Sequence, residues 1–97
     1  MLAVIAKLPI KEGKMDEAIA GFKALMEKVA KEEGTMMYSL NRDPANPNVL
    51  VMVERYKDKA ALEAHSSSDY FKEFFKTSGA FIGGRPEITR LEEIASI

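Results

Sequence analysis

The sequence contains no cysteine, which excludes a disulfide framework, a thiolate metal site and a cysteine nucleophile. It has no tryptophan and a single histidine, His65, so the common zinc arrangements lack their ligands and no metal is expected. Neither sign of charge is in excess: 14 Lys and Arg oppose 15 Asp and Glu, for a formal net charge of -1. Nucleic-acid binding needs a basic surplus or stripe, so no nucleic-acid partner is expected. No apolar run approaches the roughly 20 residues of a membrane span, and no membrane partner is expected either. The first residues lack a basic start and turn polar at Lys7; they read as a strand and not as a secretory signal, which gives a cytoplasmic location as the expectation. Walker-type and GxGxxG loops are missing, and Gly83-Gly84-Arg85 reads as a turn. Ser66 to Ser68 have no nucleophile-elbow context.

What is present is a globular balance over 97 residues, 46% hydrophobic and 30% charged, the size of one domain spanning residues 1–97. Leu2 to Leu8 form a short apolar run before Pro9, a strand with a breaker behind it. From Met15 the period changes: Ala18, Ile19, Phe22, Leu25, Met26 and Val29 share one helical face, with Glu17, Lys23, Glu27 and Lys28 opposite. Gly34 is expected to end this helix in a left-handed cap. Met36 to Arg42 and Val49 to Lys57 read as a hairpin around the turn-forming Asp43 to Asn48. Asp58 suits an N-cap for a helix bearing Ala61, Leu62 and His65, and Ser68 or Asp69 one for a second short helix with Phe71, Phe74 and Phe75 inward. Gly79 is expected to close that helix, and Pro86 precedes a last strand, Glu87 to Ile94. The order predicts an α+β, ferredoxin-like βαββαβ fold: a four-stranded antiparallel sheet with its helices on one face.

Both faces of that sheet are apolar. Val49, Val51 and Val53 alternate with Leu50, Met52, Glu54 and Tyr56, and Leu2, Val4, Ala6 and Leu8 with Ala3 and Ile5. A sheet wet on one side alternates apolar with polar. The helices can cover one face, and the segment after Leu91 is too short to cover the other. A homodimer through the sheet face is therefore expected.

Few residues can carry chemistry. His65 lies near the apolar face of its helix, where it can act as a base or simply pair with a carbonyl at the helix end. Glu54, mid-strand between apolar neighbours, is either a buried carboxylate facing a ligand or one half of a structural pair with Arg55, Arg90 or a partner's lysine. Tyr38, Tyr56, Phe71, Phe74 and Phe75 can line an apolar pocket or fill an ordinary core.

Several of these residues also carry a resemblance. Gly13-Lys14 leads into a helix, Glu33-Gly34 precedes Tyr38, and Val53-Glu54-Arg55-Tyr56 closes the third strand. Ala60-Ala61-Leu62 is followed by His65 and then by Phe71. Over nearly its whole length the chain resembles the antibiotic biosynthesis monooxygenase (ABM) domain, which includes bacterial quinol monooxygenases. The resemblance implies a dimeric α/β barrel formed by two sheets, and oxidation of a small aromatic quinol or anthrone-like substrate by O2 with no cofactor. It implies His65 as catalytic base or hydroxyl anchor, Tyr38 and Tyr56 as orienting groups, Glu54 in the substrate site, and Phe71 and Phe75 as walls. The family usually has Trp where this chain has Tyr56. A haem-degrading branch uses an Asn, a Trp and a His at places that hold approximately Ala6, His65 and Phe75 here, so that activity is not expected. An isomerase of the autoinducer-processing kind, with Asn41, Glu54 and Arg85 in one polar pocket, is the enzymatic alternative. A binding or stress-response protein without catalysis is the other.

Overall fold

Alternation along one strand sets the layering of the molecule. In β3 (Val49–Tyr56), Leu50, Met52, Glu54 and Tyr56 are buried while Val49, Val51, Val53 and Arg55 are half-buried. The computed structural model describes all residues, Met1–Ile97. The other elements are β1 (Leu2–Pro9), α1 (Met15–Val29), β2 (Thr35–Arg42), α2 (Lys59–Ser67), α3 (Asp69–Thr77) and β4 (Glu87–Glu92), with a 3-10 turn at Ser78–Ala80. The sheet order is β2-β3-β1-β4 and each neighbouring pair is antiparallel. This is the ferredoxin-like α+β fold that the element order predicts. No helix is long and apolar enough to cross a membrane.

The core lies between α1 and one sheet face. Ala18, Phe22, Leu25 and Val29 of α1 pack on Ala6, Leu8, Leu50 and Met52, joined by Ile10 and Phe81. These are the three- and four-residue repeats of the helix meeting the two-residue repeats of the strands. Val4, Tyr56 and Leu62 form a smaller cluster under α2. The opposite sheet face carries Ile5, Ser39 and Val53 in one row and Ala3, Met37, Arg55 and Leu91 in the next. No helix of the chain covers it. The C-terminal tail is tied to its margin: Arg55 donates from Nε and from a terminal nitrogen to the Glu93 carboxylate, both at 2.9 Å. Beyond that point Ile94 and Ile97 are exposed.

Three expectations about helix ends need correction. Helix α1 stops at Val29, followed by Ala30 in the right-handed region, and Gly13 is the only glycine with positive φ, at 80°. Gly34 is therefore no left-handed cap. It is needed because a Cβ there would overlap the Cβ of Ala61 in α2, while its carbonyl accepts from the Lys57 N–H at 2.8 Å. Asp58 does cap α2, accepting from the Ala61 N–H at 2.8 Å. Ser68 occupies the N-cap position of α3 without a capping bond; its hydroxyl donates back to the His65 carbonyl at 2.8 Å. Helix α3 ends at Thr77, two residues before Gly79, because the chain tightens into the 3-10 turn. Strand β4 stops at Glu92, short of Ile94, and all six of its residues are exposed.

The Gly34–Ala61 approach yields a prediction. Gly34→Ala should destabilise the fold by about 1–3 kcal/mol through overpacking, read as a lower urea midpoint at unchanged slope. Adding Ala61→Gly should recover most of the loss, which a double-mutant cycle would report as a coupling between the two positions.

Candidate active site

Between α3, α1 and the helix-facing side of the sheet lies a cavity of about 410 Å³. Its floor is Ala6, Leu8 and Met52, small or flexible side chains from alternate positions of β1 and β3. Its walls are aromatic. Phe22 comes from α1, and Phe71 and Phe75 lie one helical turn apart on α3 with ring centroids 4.8 Å from each other. Arg85, Pro86 and Ile88 reach it from the approach to β4, and Arg85 forms no ion pair with an acidic residue of the chain. Apart from Arg85, the cavity's polar side chains are those of Tyr38 and Glu54.

Glu54 is 7% exposed. Its carboxylate accepts from the Tyr56 hydroxyl, two residues along the same face of β3. Removal from water pushes its pKa up to about 7; the Tyr56 hydrogen bond opposes the rise and the charge of Glu32 adds to it. Burial, then the neighbouring charges of Glu54 and Glu32, also push the Tyr38 and Tyr56 phenols well above their usual range. Both remain neutral hydrogen-bond donors at any ordinary pH. Within the chain Glu54 pairs with neither Arg55 nor Arg90: Arg55 points to the other face and serves Glu93.

His65 is 2% exposed and is not part of the cavity wall. Its ring sits among those of Tyr38, Tyr56 and Phe71, at centroid distances of 5.2, 5.3 and 4.6 Å. Nδ1 lies 2.9 Å from Oε1 of Glu32 and 3.2 Å from Oε2, in place of a helix-end carbonyl. Tyr56 is fully buried and likewise stands behind the wall. Thus four of the candidate residues, Tyr38, Glu54, Phe71 and Phe75, meet at the cavity, while His65 and Tyr56 form the layer behind them. Phe74 turns instead to Phe22, at 4.9 Å, in the core. Asn41 lies away from the cavity, its amide donating to the Val51 and Ser39 carbonyls at 3.2 Å, so Glu54 and Arg85 do not share a polar pocket with it.

Glu32 and Tyr70 are the residues that sequence reasoning missed. Glu32 follows α1 and accepts from the Thr35 hydroxyl at 2.6 Å and from the Tyr70 hydroxyl, besides facing His65. Its partners lie on α2 and α3, so no local spacing announces them. Sequence reasoning put Glu54 and Tyr56 on one face of the strand but did not pair them; residues two apart on a strand share a face, and that spacing was the signal available. No group of three or more His, Asp and Glu side chains is close enough to hold a metal ion.

Comparison with known proteins bears on the family and the fold. The family described as antibiotic biosynthesis monooxygenase matches residues 1–77. The candidate monooxygenase YcnE of Bacillus subtilis (strain 168) is 26% identical over 92 residues, covering 95% of this chain and 97% of its own. A conserved protein from Methanosarcina mazei Go1 is 33% identical with a TM-score of 0.90, over 96% of this chain and 92% of that one. A candidate antibiotic biosynthesis monooxygenase from Caulobacter crescentus CB15 is 32% identical with a TM-score of 0.93, over 97% and 90%. On the family match, the shared fold and these identities, the chain belongs to the antibiotic biosynthesis monooxygenase family.

Proposed function

We propose that the chain is a monooxygenase that oxidises a small aromatic quinol or anthrone-like substrate with O2, taking all the electrons from the substrate and working as a homodimer. The observation that carries this reading is a single buried carboxylate, with a pKa near 7, at an aromatic-walled cavity of about 410 Å³. Family membership supports the same class of reaction.

The chemistry asks for little. A quinol hydroxyl gives its proton to the Glu54 carboxylate, and the resulting anion is electron-rich enough to pass an electron to O2. Recombination forms a carbon–oxygen bond; the oxygen–oxygen bond then breaks, one atom staying on the ring and the other leaving as water. A quinol and O2 thereby become a hydroxyquinone and water, with atoms and electrons in balance. Phe71 and Phe75 exclude water and stack the ring, while Tyr38 donates to the developing oxyanion. His65 stands one layer back, so its part in the reaction is to support this wall and not to touch the ring.

The uncovered sheet face supports dimerisation. Ile5, Val53, Ala3 and Met37 form a contiguous apolar surface that a second copy of the same face can bury. Tyr56 in place of the family's usual Trp keeps a ring at that position, and its hydroxyl is used on Glu54.

Oxygen uptake with a panel of naphthoquinols and benzoquinols tests the reaction. Wild type should consume O2 with at least one of them, and Glu54→Gln should lower kcat/KM about a hundredfold or more. The basic form of Glu54 is the active one, so the wild-type rate should rise with pH through about 7, and the variant should lose that limb. No uptake with any quinol would remove the oxygenase reading.

Glu54 also predicts a stability profile. Its folded pKa lies above its ordinary 4.5, so between those values the folded chain binds more protons than the unfolded one. Its contribution to stability is therefore greatest below pH 4.5 and falls as pH rises through about 7, a loss approaching about 3 kcal/mol. Urea titrations at several pH values should show this fall in wild type and a flatter profile in Glu54→Gln. Placing a charge on the uncovered face, as in Val53→Lys, should turn a dimer into a monomer in sedimentation equilibrium; a wild type that sediments as a monomer at micromolar concentration would refute the assembly.

A further inference from the structure

One nitrogen of the buried imidazole is accounted for and the other is not. His65 is 2% exposed, its Nδ1 faces Glu32 at 2.9 Å, and its Nε2 has no hydrogen-bond partner. A buried polar atom without a partner is costly, so it calls for an explanation.

Glu32 is held in place from several sides. The Thr35 hydroxyl at the start of β2 donates to Oε1 at 2.6 Å, and the Tyr70 hydroxyl on α3 donates to Oε2. His65 brings α2 to the same group. Elements from three parts of the chain thus converge on one side chain in the segment after α1. A carboxylate has lone pairs and no hydrogen to give, so the hydrogen between the two residues belongs to Nδ1. In a neutral imidazole that leaves Nε2 with a bare lone pair. The two ring nitrogens point apart, so Nε2 faces away from Glu32, and the ring itself packs against those of Tyr38, Tyr56 and Phe71. Tyr56 there holds Glu54, and Tyr38 and Phe71 have their other sides on the cavity.

We infer that Glu32 is a positioning residue for the proposed oxidation: it fixes His65 as the Nδ1–H tautomer, so that the partnerless Nε2 carries a lone pair and not an unsatisfied N–H, and the ring is held against Tyr38, Tyr56 and Phe71 behind the cavity wall. The inference rests on the oxygenase reading for its purpose, but its geometry stands apart from it. Glu32 moves no proton itself; the proton that Glu54 takes from the substrate returns to the departing oxygen, which leaves as water. The ionisable groups facing His65 are Glu32 after α1, Tyr38 on β2, Tyr56 with Glu54 on β3, and Tyr70 on α3 through Glu32.

A single histidine makes the test clean, because a 15N-labelled full-length chain gives one set of imidazole signals. Long-range 1H–15N spectra of wild type should show a protonated Nδ1 and an unprotonated Nε2. Glu32→Gln, whose amide can donate as well as accept, should shift the ring toward the Nε2–H tautomer. It should also lower kcat for a quinol about tenfold or more, with KM changed less than about twofold. Tyr70→Phe removes a donor but keeps the carboxylate, and it should leave the tautomer as in wild type. An Nε2–H tautomer in wild type would overturn the inference, as would Glu32→Gln retaining both the Nδ1–H form and full kcat. If Glu32→Gln does not fold, the wild-type tautomer and Tyr70→Phe still decide the matter. If wild type oxidises no quinol, the oxygenase reading falls alone, and the spectra continue to decide whether Glu32 sets the ring.

Discussion

A carboxyl group held out of water on the helix-facing side of a sheet is the constraint on which this site depends. Glu54 occupies a position that alternation reserves for Leu50, Met52 and Tyr56, and a hydrocarbon there would fill the cavity floor at lower cost. Its presence dictates its surroundings. Tyr56 must supply a hydrogen bond, the walls must stay dry enough to hold the proton near neutrality, and the phenol of Tyr38 must remain a donor. The same dryness strengthens every interaction that a bound anion would make.

Behind the wall, a second carboxylate plays the opposite part. Glu32 is saturated with donors, from Thr35, Tyr70 and His65, whereas Glu54 has one. A saturated carboxylate is a fixed anchor, and a sparsely bonded one can trade protons. Two acidic residues are thus pushed toward different roles by their neighbours alone. The aromatic cluster around His65 lies between them, and the charge of Glu32 still reaches Glu54 through it.

Much of this was legible beforehand, for identifiable reasons. The two-residue repeat of β3 and the mixed three- and four-residue repeat of α1 report on which side of each element is covered, and they placed Phe22, Met52 and Glu54 on the inner side. The order of elements then leaves few topologies. Helix ends were read less well. Gly34 has the composition of a cap but is required by a neighbouring helix, a reason that exists only after folding. His65 was rightly placed on the apolar face of α2, but its partner was not foreseen: Nδ1 faces Glu32, from another element, in place of a helix-end carbonyl. Glu32 gave no signal, because its bonds to His65 and Tyr70 span 33 and 38 residues.

Strand β3 is one residue thick and shows different neighbours to its two sides. Val53 belongs to the uncovered face and Glu54, the next residue, to the cavity. Whatever settles on the first surface presses on the same peptide plane that aims the second side chain. Since a sheet resists bending more than a loop does, a slight change in its twist on contact would be carried to the carboxylate and not absorbed on the way. In the proposed dimer, protein concentration would itself become an input to the proposed chemistry, felt across a single layer of backbone.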